Sequence, residues 1–109
     1  MEDQQMIPKR PVFRGRVRRV PAGFGWVDHR LVSDRLITGR SHASLALYLF
    51  LVTVADREGL SYWSAGSVCR VLCMDSVQIK EAADELEVAG LAAYEPPIWQ
   101  VLGLEGRPS

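Results

Sequence analysis

The stretch Cys73-Met74-Asp75-Ser76-Val77-Gln78-Ile79-Lys80-Glu81-Ala82-Ala83-Asp84-Glu85-Leu86-Glu87-Val88-Ala89-Gly90-Leu91 decides the fold. Asp75 carries the short oxygen-bearing side chain of a helix N-cap, and Gln78 three residues later completes a capping-box pattern. Ile79, Ala82, Ala83 and Leu86 recur at steps of three and four, so they form one apolar stripe. Gly90 follows the last periodic residue and is placed to end the helix in the left-handed conformation. The segment reads as a one-sided helix behind a tight turn, with Val77, Lys80, Glu81, Asp84 and Val88 facing outward.

Working outward from it, Ser64 caps a shorter helix through about Leu72, with Ala65, Val68 and Leu72 at helical spacing. Before that, Leu60-Ser61-Tyr62-Trp63 is a short β-prone piece. Ser41 caps a longer helix beginning at His42, and Gly59 lies just past its expected end. In that helix Leu45, Leu47, Tyr48, Leu49, Phe50, Leu51, Val52 and Val54 leave almost no polar face, which predicts a buried core helix. Downstream, residues 91–94 and 98–102 read as two strands around Glu95-Pro96-Pro97. The order is helix, short strand, short helix, tight turn, longer helix, two-stranded ribbon: mainly α with a small β-ribbon, an α+β class.

On these residues the chain resembles the winged helix-turn-helix superfamily over roughly residues 41–102. The resemblance rests on the buried helix at 45–54, the strand at 60–63, the turn Cys73-Met74-Asp75, and Glu85-Leu86-Glu87-Val88-Ala89-Gly90-Leu91 leading into the ribbon. It implies a fold that serves many roles, so it says little about activity. Gly25-Trp26-Val27-Asp28-His29-Arg30-Leu31, followed by Ala46-Leu47-Tyr48-Leu49-Phe50-Leu51-Val52, also looks like small bacterial proteins associated with insertion elements or plasmid replication.

The division of the chain follows. Residues 1–23 read as a basic arm with Pro8, Pro11, Pro21 and no helical periodicity. From Phe13 to Arg18, Arg14, Arg16 and Arg18 alternate with other residues, a pattern that suits an extended or strand-like segment. In residues 24–40, Phe24, Trp26, Val27, Leu31, Val32, Leu36 and Ile37 point to a partly buried connection holding a short helix. Residues 41–104 form the winged domain and 105–109 a tail. A chain of 109 residues with 48% apolar content has room for one such domain and the material for its core. No apolar run reaches the length of a membrane span, and the N-terminus lacks the apolar segment of a signal peptide; a cytoplasmic protein without membrane association is expected.

A formal net charge of zero conceals two opposed halves. Residues 1–40 hold nine Lys/Arg against four Asp/Glu, a net of +5, and residues 41–109 hold four against nine, a net of −5. Lys9, Arg10, Arg14, Arg16, Arg18 and Arg19 place six cations in eleven residues with no acid among them. Such an arm can follow phosphates or the minor groove beside a helix-turn-helix, or lie on the acidic half of its own molecule. Arg14-Gly15-Arg16 is similar to the centre of an AT-hook, with Val17 where that motif has proline.

In the major groove, Ser76, Gln78 and Lys80 at the start of the longer helix would read bases, Gln pairing with adenine and Lys with guanine. Glu81, Asp84, Glu85 and Glu87 oppose phosphate approach. The same face, through Val77, Glu81, Asp84 and Val88, offers instead a protein-binding or homodimer surface. The ribbon turn brings Glu95 and two prolines where DNA-touching wings bring Lys or Arg.

Little points to catalysis. Cys69 and Cys73 supply two thiols where a zinc site needs about four ligands, so they read as small buried cysteines. His29 beside Asp28, and His42, lack a nucleophile or metal partner, and Gly23-Phe24-Gly25 lacks the rest of a phosphate loop. Trp26, Trp63 and Trp99 read as core and edge packing. The expectation is a DNA-binding accessory or regulatory protein without enzyme activity, metal or cofactor, the alternative being a protein-interaction module without direct DNA contact.

Overall fold

A computed structural model describes residues 8–105. Its elements are α1 (Arg30–Ser33), α2 (His42–Val54), β1 (Leu60–Tyr62), α3 (Ala65–Leu72), α4 (Ser76–Ala89), β2 (Ala92–Glu95) and β3 (Ile98–Val101). The class is α+β: among the described residues there are four α-helices and one small antiparallel sheet.

Each longer helix starts where a side-chain oxygen is available to its first free N–H groups. Ser41 accepts from the Ser44 N–H, Ser64 from that of Ser67, and Asp75 from that of Gln78. The capping box at α4 is complete, because the Gln78 side chain also accepts from the Asp75 N–H at 3.0 Å. α4 ends at Gly90, whose φ of 75° favours a residue without Cβ. α3 ends on Cys73, also left-handed at φ 55°, and the three residues Cys73-Met74-Asp75 turn the chain into α4. α2 ends earlier than Gly59 implies. Ala55 is already extended, and Gly59 instead closes the turn that enters β1, with the Val101 carbonyl oxygen 2.5 Å from where a Cβ would stand.

β1 is not an isolated piece beside a two-stranded ribbon. It pairs antiparallel with β3, Ser61 opposite Trp99, and β3 pairs antiparallel with β2, Tyr94 opposite Trp99, giving the order β1-β3-β2. The β2–β3 connection is the two residues Pro96-Pro97, joined by a cis bond.

Buried side chains from the four α-helices, β2 and β3 meet in one core: Leu31 of α1, Leu47 and Leu51 of α2, Val68 of α3, Ile79 and Leu86 of α4, Ala92 of β2 and Trp99 of β3, with Leu91 between α4 and β2. Trp99 is held on two sides. Its indole N–H donates to the Trp63 carbonyl at 2.9 Å, and its ring stacks on Tyr94 with centroids 3.8 Å apart. Trp63 in turn meets the edge of Phe50 at 4.9 Å.

Several expectations from the sequence are corrected. Phe13 and Val17 are extended, but residues Arg14–Arg16 between them form a single 3-10 turn, and among the described residues no strand pairs with this segment. α2 is not buried all round, since Leu49 is exposed while Leu47, Tyr48, Phe50 and Leu51 are covered. An all-apolar helix cannot announce which side faces out. In the connecting segment Leu31 is buried and Leu36 and Ile37 are half-buried, but Phe24, Trp26, Val27 and Val32 are exposed. Trp26 therefore is not core packing, unlike Trp63 and Trp99. Cys69 is half-buried and Cys73 exposed, so the pair is not a buried one. Ala65 also lies exposed on α3.

Candidate nucleic-acid interface

The arm meets the first requirement of an electrostatic contact, which is access. Every residue from Pro8 to Gly25 is exposed, including Lys9, Arg10, Arg14, Arg16, Arg18 and Arg19. Among the described residues none of these six cations pairs with a carboxylate. No acid occurs between Pro8 and Val27, so the local charge is uncompensated along the chain. Within the described residues the arm does not lie on the acidic half of its own molecule through ion pairs. Residues 1–7 of the arm and 106–109 of the tail fall outside the described residues.

α4 is placed as its periodicity requires. Ile79, Ala82 and Leu86 are buried, Ala83 is half-buried, and Ser76, Val77, Gln78, Lys80, Glu81, Asp84 and Val88 are exposed. Its chemistry is less inviting to DNA than its position. The Gln78 carbonyl oxygen is engaged by the Asp75 N–H, which holds the side chain back against the cap and leaves its amide NH2 and one oxygen lone pair for a base. Lys80 donates to Asp84 at 3.1 Å, one turn on, which offsets the helix's single cation. Glu81, Asp84 and Glu87 leave the outer face acidic. An exposed pair of this kind is weak and opens at little cost, so Lys80 is reachable but not free.

Glu85 does something the sequence reading misses. Instead of adding to the outer acidic face, it reaches across to the start of α2. Its two carboxylate oxygens accept from the Ser41 N–H at 2.9 Å and the Ser41 hydroxyl at 2.8 Å. Those donors hold its carboxyl below the ordinary glutamate range, the backbone bond contributing most. Ser41 thus caps α2 and ties it to α4 at once. A serine cap gives no sign in the sequence of which distant acid will meet it.

Comparison with protein-family models, curated proteins and solved structures gives no match for this chain.

A second cluster fixes the segment that joins arm to body. The Arg30 guanidinium grips Asp28, its closest contact 2.6 Å, and also reaches Glu105 at 2.8 Å. Hydrogen bonds from Arg30 bring the Asp28 carboxyl down to about 2, and the same guanidinium lowers Glu105. Glu105, read from sequence as the first residue of a tail, is bound, and Leu104 before it is buried. The base of the arm is consequently anchored near the end of the sheet. His29 beside this cluster is exposed and His42 sits in the first turn of α2. Among the described residues no three His, Cys, Asp or Glu side chains come together as a metal site would need. No helix there is long and apolar enough to cross a membrane.

Proposed function

We propose that residues 41–102 form a winged helix-turn-helix module and that the chain is a DNA-binding accessory or regulatory protein, not an enzyme, whose affinity resides in the arm. The observation that carries the proposal is the run of six exposed cations between Lys9 and Arg19, unpaired among the described residues. Two features support the module. α3 and α4 are joined by a three-residue turn, and the strand before α3 pairs with the returning strand of the hairpin after α4. The acidic outer face of α4 assigns it the smaller part: Ser76, Gln78 and Lys80 adjust preference among sequences, while phosphate contacts come from the arm.

The test is the salt dependence of duplex binding. Each neutralised phosphate adds about −0.9 to the slope of log K against log salt, so six contacts give up to about −5. Replacing all six arm cations by Gln in the full-length chain flattens the slope by several units and leaves the fold intact. Replacing Gln78 and Lys80 shifts sequence preference with a change of about one unit or less. No salt-sensitive binding by the full-length protein at low ionic strength would overturn the reading.

The exposure of Val77 and Val88 favours one alternative, a protein-binding α4 with Glu81 and Asp84. There the arm substitutions leave partner capture unchanged, and Val77→Asp or Val88→Asp abolishes it.

A further inference from the structure

Among the described residues of the folded body, α4 is not the only element that leaves apolar side chains in solvent. Another such face lies where the segment 24–32 runs along the outer side of α2. Phe24, Trp26, Val27, Val32 and Leu49 are each 52–72% exposed. Val27, Val32 and Leu49 line one groove of about 540 Å3, and Phe24 and Trp26 line the next, with Asp28, Tyr48 and Val52 common to both and Arg30, Asp56, Arg57, Glu58 and Glu105 along the far side of the second. The segment is seated closely on the helix: a Cβ at Gly25 would stand 2.9 Å from the Val52 carbonyl oxygen. Through their shared residues the two grooves adjoin.

Its size sets what covers it. Taking roughly 150–250 Å2 for each aromatic side chain and somewhat less for each aliphatic one, the five expose about 600 Å2. That is the upper end of the largest apolar patch, about 300–600 Å2, found on an ordinary monomer. Two such patches face to face remove roughly 1,200 Å2 from water, the lower end of what a specific, stable interface buries.

We propose that this face is the contact between two copies of the chain, related by a two-fold axis and built around α2. Leu45, Leu49 and Val52 follow a four-then-three spacing, the seam along which two helices pack side by side. α2 itself carries no Asp, Glu, Lys or Arg, and Asp28, the charged residue common to both grooves, is paired with Arg30 at 2.6 Å, so a two-fold axis along the helix sets no unpaired like charges of the seam together. The exposed apolar residues of α4 fail this condition, because Val77 and Val88 flank Glu81, Asp84 and Glu87, which a two-fold axis would set against their own copies. This dimer face is distinct from the partner or dimer surface expected from sequence on α4. A dimer also carries two arms on one particle, although the inference does not depend on what the arms bind.

The experiment is sedimentation equilibrium of the full-length chain without nucleic acid, from about 1 to 200 μM. The expected mass rises from 12.2 kDa toward twice that value with a dissociation constant in the micromolar range. Leu49→Asp and, separately, Val32→Asp hold the mass at one chain with an unchanged circular dichroism spectrum, since both side chains already face solvent. Val88→Asp leaves the dimer intact. A single-chain mass throughout the concentration range overturns the proposal, whether the patch is then covered by the chain's own arm or left bare. So does a dimer that survives Leu49→Asp and Val32→Asp, or one that Val88→Asp dissociates.

Discussion

Leu49 and Phe50 are neighbours in sequence, both apolar and both central in α2, yet the structure gives them opposite fates. Phe50 is 8% exposed and packs edge-on against Trp63; Leu49 is 63% exposed. Truncating a buried phenylalanine to alanine costs about 3–5 kcal/mol through lost transfer energy and the cavity left behind. For Leu49 only about a third of the surface is covered. Full burial of a leucine is worth about 1.5–3 kcal/mol, so a third of it is about 0.5–1, and alanine's better helix propensity returns a few tenths. Leu49→Ala should therefore cost about 0.5 kcal/mol, at least five-fold less than Phe50→Ala. At about 4–8 °C per kcal/mol for a domain of this size, Phe50→Ala lowers the melting temperature by more than about 12 °C and Leu49→Ala by less than about 4 °C. Thermal and urea melts followed by circular dichroism, at a concentration that keeps the chain monomeric, measure both. Equal losses for the two variants, or a larger loss for Leu49→Ala, would refute the orientation of α2 and with it the face assigned to the dimer.

The remaining predictions concern the ties between elements. Ser41→Ala removes the α2 cap and should destabilise by about 1 kcal/mol, read from the urea midpoint. Glu85 and Asp28 have folded-state carboxyls lowered from 4.5 and 3.8, the latter to about 2, so their stabilisation is present above those ordinary values. It is lost as pH falls through the lowered folded values; the urea midpoint should drop between about pH 4.5 and 2, and Glu85→Gln should make that drop shallower. A midpoint flat across this window would contradict both ties. Gly59→Ala combines a φ of 86° with a Val101 oxygen 2.5 Å from the new methyl, and should cost more than about 1 kcal/mol in the same melts. Cys73 should react with a thiol reagent in the native protein at least several-fold faster than half-buried Cys69; a single common rate would place them in one environment.

What could be read from the sequence is what acts over three or four residues. Asp75 with Gln78, Ser41, Ser64 and Gly90 satisfy or terminate the backbone of their own helix, so their roles are legible without knowing what packs where. The stripe Ile79, Ala82, Leu86 is equally local, because its contrast with Lys80, Glu81 and Asp84 defines an inside. The Lys80–Asp84 pair was available at its spacing of four, and the capping box already implied that one side of Gln78 is occupied. The exposure of residues 8–23 agrees with their six cations and three prolines, but that Val12, Phe13, Val17 and Val20 also stay in solvent could not be read from composition.

Tertiary structure decided the rest, for one physical reason. Where a segment is apolar on every side it carries no contrast, and only the shape of its neighbours chooses which side is covered. So α2 turned Phe50 inward and Leu49 outward, and the segment 24–32 buried Leu31 but left Trp26 and Val32 in solvent. The same holds for partners far apart in the chain. Nothing near Ser41 names Glu85, nothing near Arg30 names Glu105, and nothing in Leu60-Ser61-Tyr62 names β3, because those contacts form only when the core brings distant segments within hydrogen-bonding reach. Local rules set where each element begins and ends; packing set which faces remain open for a partner.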